Sequence, residues 1–425
     1  MRDSTPRPGD RRLEESEREA GQVLPPPPGH PRFPLLDPMR AIAAISVMLV
    51  HVAIFSGGFG PWYKWVLAHL EIGVPFFFLL SGFLLYRPML AARVSGLPAQ
   101  RIRDYARNRF FRIFPLFWFI LIVTAIVPGM YGAFTGNWWV YFGLLQNLPV
   151  YSPDGECVTN PFRCGIPPSW TLGIEVMFYF LLPFFAAGMT MIQNRFRSTP
   201  SGGFFSRWVK IEFAALLLFS AISFVIQSSS FNGGVDQWLF FSPIGRAWWF
   251  ALGMVLAVIS VRTAETGRDV ALSRWGREHG GWCWLAAIGL YLFGTYVLFS
   301  HGPTLAAPVG DLNEYLLQYF FFGVISFLAL MPAVFGQIGS GVATRVLAHP
   351  VPVRLGLISY GIFLWHYPVL VALNDLDATS WATSAQFPVM AIATFVLTVA
   401  LSLITYYLLE RPLMRWSRSR SKKRA

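Results

Sequence analysis

Apolar runs of about twenty residues, separated by short polar segments, fill the chain from Leu36 onward. A bilayer's hydrocarbon core takes ~20 helical residues to cross, so each run reads as a transmembrane helix. Ten fit, near 37–56, 72–90, 109–128, 170–190, 210–227, 243–261, 282–300, 313–335, 355–373 and 387–409. The pattern therefore predicts an all-α, polytopic integral membrane helical bundle. Residues 1–35 differ. They alternate basic and acidic side chains (Arg11, Arg12, Glu14, Glu15, Glu17, Arg18) and then meet the run Pro25 to Pro28. That composition has no secretory-signal pattern and too little apolar surface to pack, which predicts a disordered cytoplasmic tail. The stretch Trp138 to Leu148 is apolar but too short to span, and reads as an interfacial or re-entrant helix.

Charge sets the orientation. With the N-terminus inside, the cytoplasmic connections and C-terminal tail hold 24 Lys and Arg residues, while the outer loops hold only Lys64 and Arg163. This asymmetry follows the positive-inside rule and predicts two cytoplasmic termini. The core domain is then 36–412, and 413–425 is a basic cytoplasmic tail attracted to anionic lipid headgroups. The net charge of +12 collects at membrane faces, so it does not point to nucleic acid. Thirty arginines against four lysines suggest GC-rich coding DNA, and with it a bacterial inner (plasma) membrane.

Ionisable residues inside spans are costly, and they mark candidate sites. Arg40 and His51 stand eleven apart on the first span, within about 20° of one face and roughly 16 Å of rise from each other, so they line one stripe. For Arg40 a snorkelling anchor is the competing reading. Glu175 lies early in the fourth span and Arg246 early in the sixth, which predicts that both share the outer half of the membrane with His51. There a histidine and a carboxylate would act as general base and orienting partner, the alternative being a Glu–Arg pair that fixes helix packing. His366, beside Pro368, either lines the same cavity or is scaffolding at a helix kink. At the cytoplasmic edge Arg109 and Arg112, at i and i+3, share a helix face. They present two guanidinium forks suited to phosphate, against the plain reading of membrane anchoring. Asp37, one turn before Arg40, either holds that arginine or caps the helix. Cys157 and Cys164 fall on the outer side, where a disulfide can persist. No cysteine or histidine spacing suggests a metal, and the chain predicts no tightly bound cofactor.

These residues carry a resemblance. Leu36-Asp37 with Arg40 and His51, then Gly73 to Leu84, Arg109-x-x-Arg112-Ile113-Phe114-Pro115, Ser169 to Tyr179 and Ser359 to Pro368 are similar, in order, to the blocks of the acyltransferase 3 family of membrane O-acyltransferases. The resemblance covers about 36–412. It implies transfer of an acyl group, commonly acetyl from cytosolic acetyl-CoA as co-substrate, to a hydroxyl of an envelope carbohydrate, glycolipid or small molecule. It implies that Arg40 and His51 form the family's essential pair, that Arg109 and Arg112 face the donor, and that Glu175 is the acidic member of the fourth-span block. Arg246, His366, Ser169 and Tyr360 are supporting candidates in similar blocks. Pro38-Met39 and the Cys157–Cys164 loop depart from the family pattern. Some relatives carry an esterase-like C-terminal domain. Here the sequence stops about 15 residues after its last span, so the membrane module is expected to bind the acceptor itself. A secondary transporter or flippase is the alternative, since a polar stripe through a bundle also describes a substrate path.

Overall fold

The computed structural model describes residues 33–56, 64–98, 100–126, 138–148, 166–195, 206–231, 237–267, 269–299, 310–336, 341–377 and 386–422. Cys157, Cys164 and nearly all of the N-terminal tail lie outside these residues. The described residues from Pro34 onward belong to one compact unit. Its long helices are α1 (Leu36–Phe55), α2 (Gly73–Val94), α3 (Ile102–Ile126), α4 (Trp170–Arg195), α5 (Arg207–Phe231), α6 (Ala247–Thr266), α7 (Gly280–Phe293), α8 (Leu312–Phe335), α9 (Ser359–Asp375) and α10 (Gln386–Thr405), followed by α11 (Arg411–Lys422). No strand occurs among the described residues. Among the described residues nine segments are long and apolar enough to cross a membrane, or ten when the bent pair Pro350–Leu357 and Ser359–Asp375 is taken as one span.

That bend, 70° at Ile358, is one place where the chain departs from expectation. The kink sits before α9 begins, whereas Pro368 is accommodated inside the helix. Gly356 lets the short helix Pro350–Leu357 press on the backbone carbonyl of Asp37, a contact too close for any Cβ. The start of α1 is thereby pinned.

The degree of burial sorts the helices. The windows in Trp65–Val94 and Ala247–Thr266 are each 72% buried and form the centre with α1 and α8, while those in α7 and α10 are 22% buried and face lipid. Lipid tails are as apolar as leucine, so helices gain little dehydration by meeting one another and must gain contact instead. Small residues supply it at the centre. Gly82 abuts the Phe250 carbonyl and Gly253 the Leu79 carbonyl, so α2 and α6 touch backbone to backbone in both directions. Phe78 and Phe178 stack on Phe250 at 4.8 and 4.0 Å, filling the space beside that seam.

Helix ends follow local chemistry. Asp311 caps α8 by accepting from the backbone N–H groups of Asn313 and Glu314, and Gly267, at φ 63°, ends α6 in the left-handed region. Trp138–Phe142 forms only one short helix, with Trp138 and Trp139 exposed. It is followed by turns in which Gln146 donates to Ser169 Oγ and Asn147 to the Trp170 carbonyl. This segment buttresses the start of α4.

Candidate functional site

A cavity open at one side runs between α1, α2, α3, α4 and α9. Its lining along α2 extends from Val74 to Leu85, eleven helical steps or roughly 16 Å. One end holds three guanidinium groups, those of Arg40, Arg109 and Arg112. Thr171 and Leu172, at the start of α4, line it near the other end, and Glu175 and Tyr179 lie between.

Each arginine is set by its own neighbours. Arg40 donates to Asp37 Oδ1 at 3.0 Å, and no side chain caps α1, so the structure shows Asp37 holding Arg40 rather than capping the helix. Arg109 lies over the rings of Tyr105 and Tyr179, at 5.9 and 5.7 Å. Its Nε is buried without a hydrogen-bond partner, and no carboxylate pairs with it among the described residues. Arg112 rests over the Tyr360 ring at 5.7 Å and is 3.7 Å from Glu410. Tyr360, also in the lining, is fixed by donating to the Ile113 carbonyl at 2.7 Å. Because α3 begins at Ile102, Arg109 and Arg112 sit on its second and third turns, where both side chains reach the cavity.

Glu175 accepts from Ser81 Oγ and Tyr179 Oη, both at 2.5 Å. Two hydroxyl donors from α2 and α4 fix the orientation of this carboxylate. The carboxylate thus balances part of the positive end and fixes the ring beneath Arg109. Ser81 was legible only as part of an apolar block. Its hydroxyl in a helix of phenylalanine and leucine is the signal that sequence reading passed over.

His51 is placed elsewhere than expected. It is not among the cavity-lining residues, and its partner is His366 rather than Glu175. His51 Nδ1 lies 2.8 Å from the Val47 carbonyl and 3.2 Å from His366 Nε2, while His366 Nδ1 lies 3.3 Å from the Ile362 carbonyl. Carbonyls only accept, so in the neutral rings each Nδ1 carries the proton. His366 Nε2 then accepts from His51, and the His51 lone pair resides on Nε2, which has no hydrogen-bond partner among the described residues. On the same helices, Met48, Val52, Val369, Leu370, Leu373 and Met390 form one buried cluster that locks α1 to α9 and α10. Phe363 lies between the histidine rings and the cavity in contact terms, lining the cavity while lying 5.9 Å from His366 and 5.9 Å from Phe77.

Arg246 also parts from Glu175. It is fully buried at the start of α6, 4.3 Å over Phe240 and 5.1 Å over Trp249, and donates to Tyr315 Oη at 3.3 Å. Tyr315 donates to Gln227, which donates to the Gly245 carbonyl, closing a network that ties α5, α6 and α8 together. Neither the His51–Glu175 dyad nor a Glu175–Arg246 pair is formed. Ser359 lines the cavity, and Ser169 is buried beneath the Trp138–Leu148 segment. Sequence reading also passed over Glu212, fully buried on α5, which accepts from Arg93, Tyr86 and Gln193 and clamps α2, α4 and α5 together. Among the described residues no group of three or more His, Cys, Asp or Glu could hold a metal ion.

Comparison with known proteins supplies an independent measure. A family model described as "Acyltransferase domain" matches residues 34–407. The chain is 24% identical over 407 residues to O-acetyltransferase OatA of Staphylococcus aureus, covering 91% of this chain and 58% of that protein. It is 23% identical to the provisionally named peptidoglycan O-acetyltransferase YrhL of Bacillus subtilis, covering 90% of this chain and 55% of that one. It is likewise 23% identical to the provisionally named membrane-bound transacylase BcsY of Komagataeibacter xylinus, with 88% and 81% covered. The chain thus spans a little over half the length of the first two relatives. No solved structure matches.

Proposed function

The chain belongs to the acyltransferase 3 family, and from that premise we propose that it is a membrane O-acyltransferase acting on hydroxyl groups of a cell-envelope carbohydrate or glycolipid, with acyl-CoA, acetyl-CoA first, as donor. The observation that carries the reading is the polarity of the cavity: three arginines at one end, a channel about as long as the Arg40–His51 separation, and a histidine pair beside it. Arg40 stands roughly 16 Å along α1 from His51, too far to stabilise charge on an acyl group reacting there. It works with Arg109 and Arg112 on donor phosphates, whose paired oxygens accept bidentately from planar guanidinium forks. The flexible arm of acyl-CoA then carries the thioester along the cavity toward Phe363 and the histidines.

His51 Nε2 is the general base. As the acceptor oxygen attacks the thioester carbonyl, Nε2 takes the hydroxyl proton; the C–S bond then breaks, and the departing thiolate recovers that proton from the imidazolium. No covalent enzyme intermediate is required. His366 holds the tautomer that leaves Nε2 free, and Glu175 positions Tyr179 beneath Arg109. By the charge asymmetry the arginine end faces the cytoplasm, where acyl-CoA is available, and the acceptor approaches from the other side. The names of OatA and YrhL, both O-acetyltransferases and the second of peptidoglycan, support an envelope glycan as acceptor.

Membranes carrying the protein and supplied with acetyl-labelled acetyl-CoA should place base-labile label on envelope polysaccharide or glycolipid, and those carrying His51→Ala should not. Equal labelling from the two would overturn the role of His51. Absence of label with every acyl-CoA tried, despite folded protein, would overturn the activity.

A further inference from the structure

Residues 408–425 lie beyond the family match, yet their described part is built into the arginine end of the cavity. The chain leaves α10 through a π-helical turn, Tyr406–Glu410, and continues as α11 against α3. Glu410 meets Arg112 at 3.7 Å, Met414 Sδ lies 3.5 Å from Arg112 Nη1, and Ser417 Oγ donates to Asn108 Oδ1 at 2.8 Å. Trp416 meets the edge of Phe111 at 5.1 Å. Residues 410, 414 and 417 follow helical spacing, so one face of the C-terminal segment is committed to the Arg109–Arg112 turn. Arg418 follows Ser417 directly and stands one helical turn beyond Met414, the residue that touches Arg112, so it adjoins that face.

The cluster is short of negative charge. Arg418 and Arg109 pair with no carboxylate among the described residues, the Arg109 Nε is buried and unpartnered, and Glu410 is the one carboxylate ion-paired to the group. Three like charges in a partly dehydrated site repel one another unless an anion sits among them. Arg109 and Arg112 line the cavity, and Arg418, on the helix packed against their turn, is exposed and open to a soluble ligand.

We propose that α11 is part of the donor site, with Arg418 acting beside Arg109 and Arg112 as a third guanidinium for the phosphates of the acyl donor. This rests on the assignment of Arg109 and Arg112 to the donor. The ligand chemistry is a cluster of phosphate oxygens, which both a CoA nucleotide and a phospholipid headgroup present. The exposed position and continuity with the cavity favour the nucleotide.

The test is CoA binding by the full-length protein in nanodiscs, for wild type, Arg109→Ala, Arg418→Ala, Arg418→Lys and Arg420→Ala. Arg420 lies over Trp416 at 4.6 Å and serves as a control from the same helix. Arg418→Ala should raise the CoA Kd roughly five- to tenfold, the scale of one partly exposed charged contact. Lysine should restore part of the loss, Arg420→Ala should leave the Kd unchanged, and binding of pantetheine, which lacks the nucleotide phosphates, should not respond to Arg418→Ala. If Arg109→Ala weakens CoA binding and a folded Arg418→Ala does not, the role of α11 is overturned while the donor assignment stands. If wild type fails to bind CoA, or Arg109→Ala leaves binding intact, the donor assignment falls and this proposal with it. If Arg418→Ala instead abolishes thermal stabilisation by phosphatidylglycerol over phosphatidylcholine nanodiscs with the CoA Kd unchanged, the anion is a lipid headgroup and the proposal is overturned.

Discussion

At the scale of single residues, the histidine pair is the most informative feature, because two backbone carbonyls decide which nitrogen is free. His366→Phe removes the acceptor for His51 Nδ1–H and leaves Val47 alone to hold the ring. Transfer should fall by about an order of magnitude while CoA affinity stays within error; a parallel loss of CoA binding would mean that His366 only shapes the bundle. His366→Gln, whose amide oxygen can accept from Nδ1, should recover part of the rate. The arginines make a different prediction. Arg112→Lys keeps the charge but loses the planar fork, so the Kd for CoA should rise by about tenfold, and a wild-type Kd would reduce Arg112 to a point charge. Arg40, His51, Glu175 and Arg246 were all legible as ionisable residues in apolar spans. Apart from Asp37, one turn from Arg40 on the same helix, their partners were not, because a residue's depth along a helix follows from the sequence whereas its neighbour on another helix depends on how helices are rotated about their axes. That is why Glu175 met Ser81 and Tyr179 instead of His51, and why Arg246 found aromatic rings and Tyr315.

At the scale of helices, apolar run length gave the spans, since bilayer thickness leaves little choice of length. Amphipathic extensions are harder to read. α3 starts at Ile102, seven residues before the apolar run at 109, and α11 continues the last helix into a segment that composition alone assigned to a basic tail. Close packing is invisible to hydropathy as well, because Gly82 and Gly253 look like minor interruptions in two apolar runs. A Leu at Gly253 would drive its Cβ into the Leu79 carbonyl, which cannot move aside as a flexible side chain could. Gly253→Leu should therefore destabilise by about 1–3 kcal/mol or more, seen as a lower unfolding temperature in detergent. An unchanged temperature would show that α2 and α6 are not in backbone contact.

For the whole molecule, the chemistry depends on orientation, which rests on the 24-to-2 distribution of basic residues. That orientation would place Cys157 and Cys164 on the outer side. An impermeant thiol reagent should label them in intact cells only after reduction, while Cys283, buried in α7, stays unlabelled. Labelling before reduction would remove the disulfide and keep the topology. No labelling until the cells are opened, with burial excluded by a denatured control, would invert the bundle and exchange donor and acceptor sides. The division of labour along the cavity is what such an inversion would upset, and it can be measured directly. CoA binding and acyl transfer should be compared in His51→Ala and Arg109→Ala, both folded. The account predicts that His51→Ala keeps a CoA Kd within about threefold of wild type and loses transfer by about 100-fold or more, whereas Arg109→Ala loses binding first and recovers rate at high acyl-CoA. Near-normal transfer by His51→Ala would contradict it.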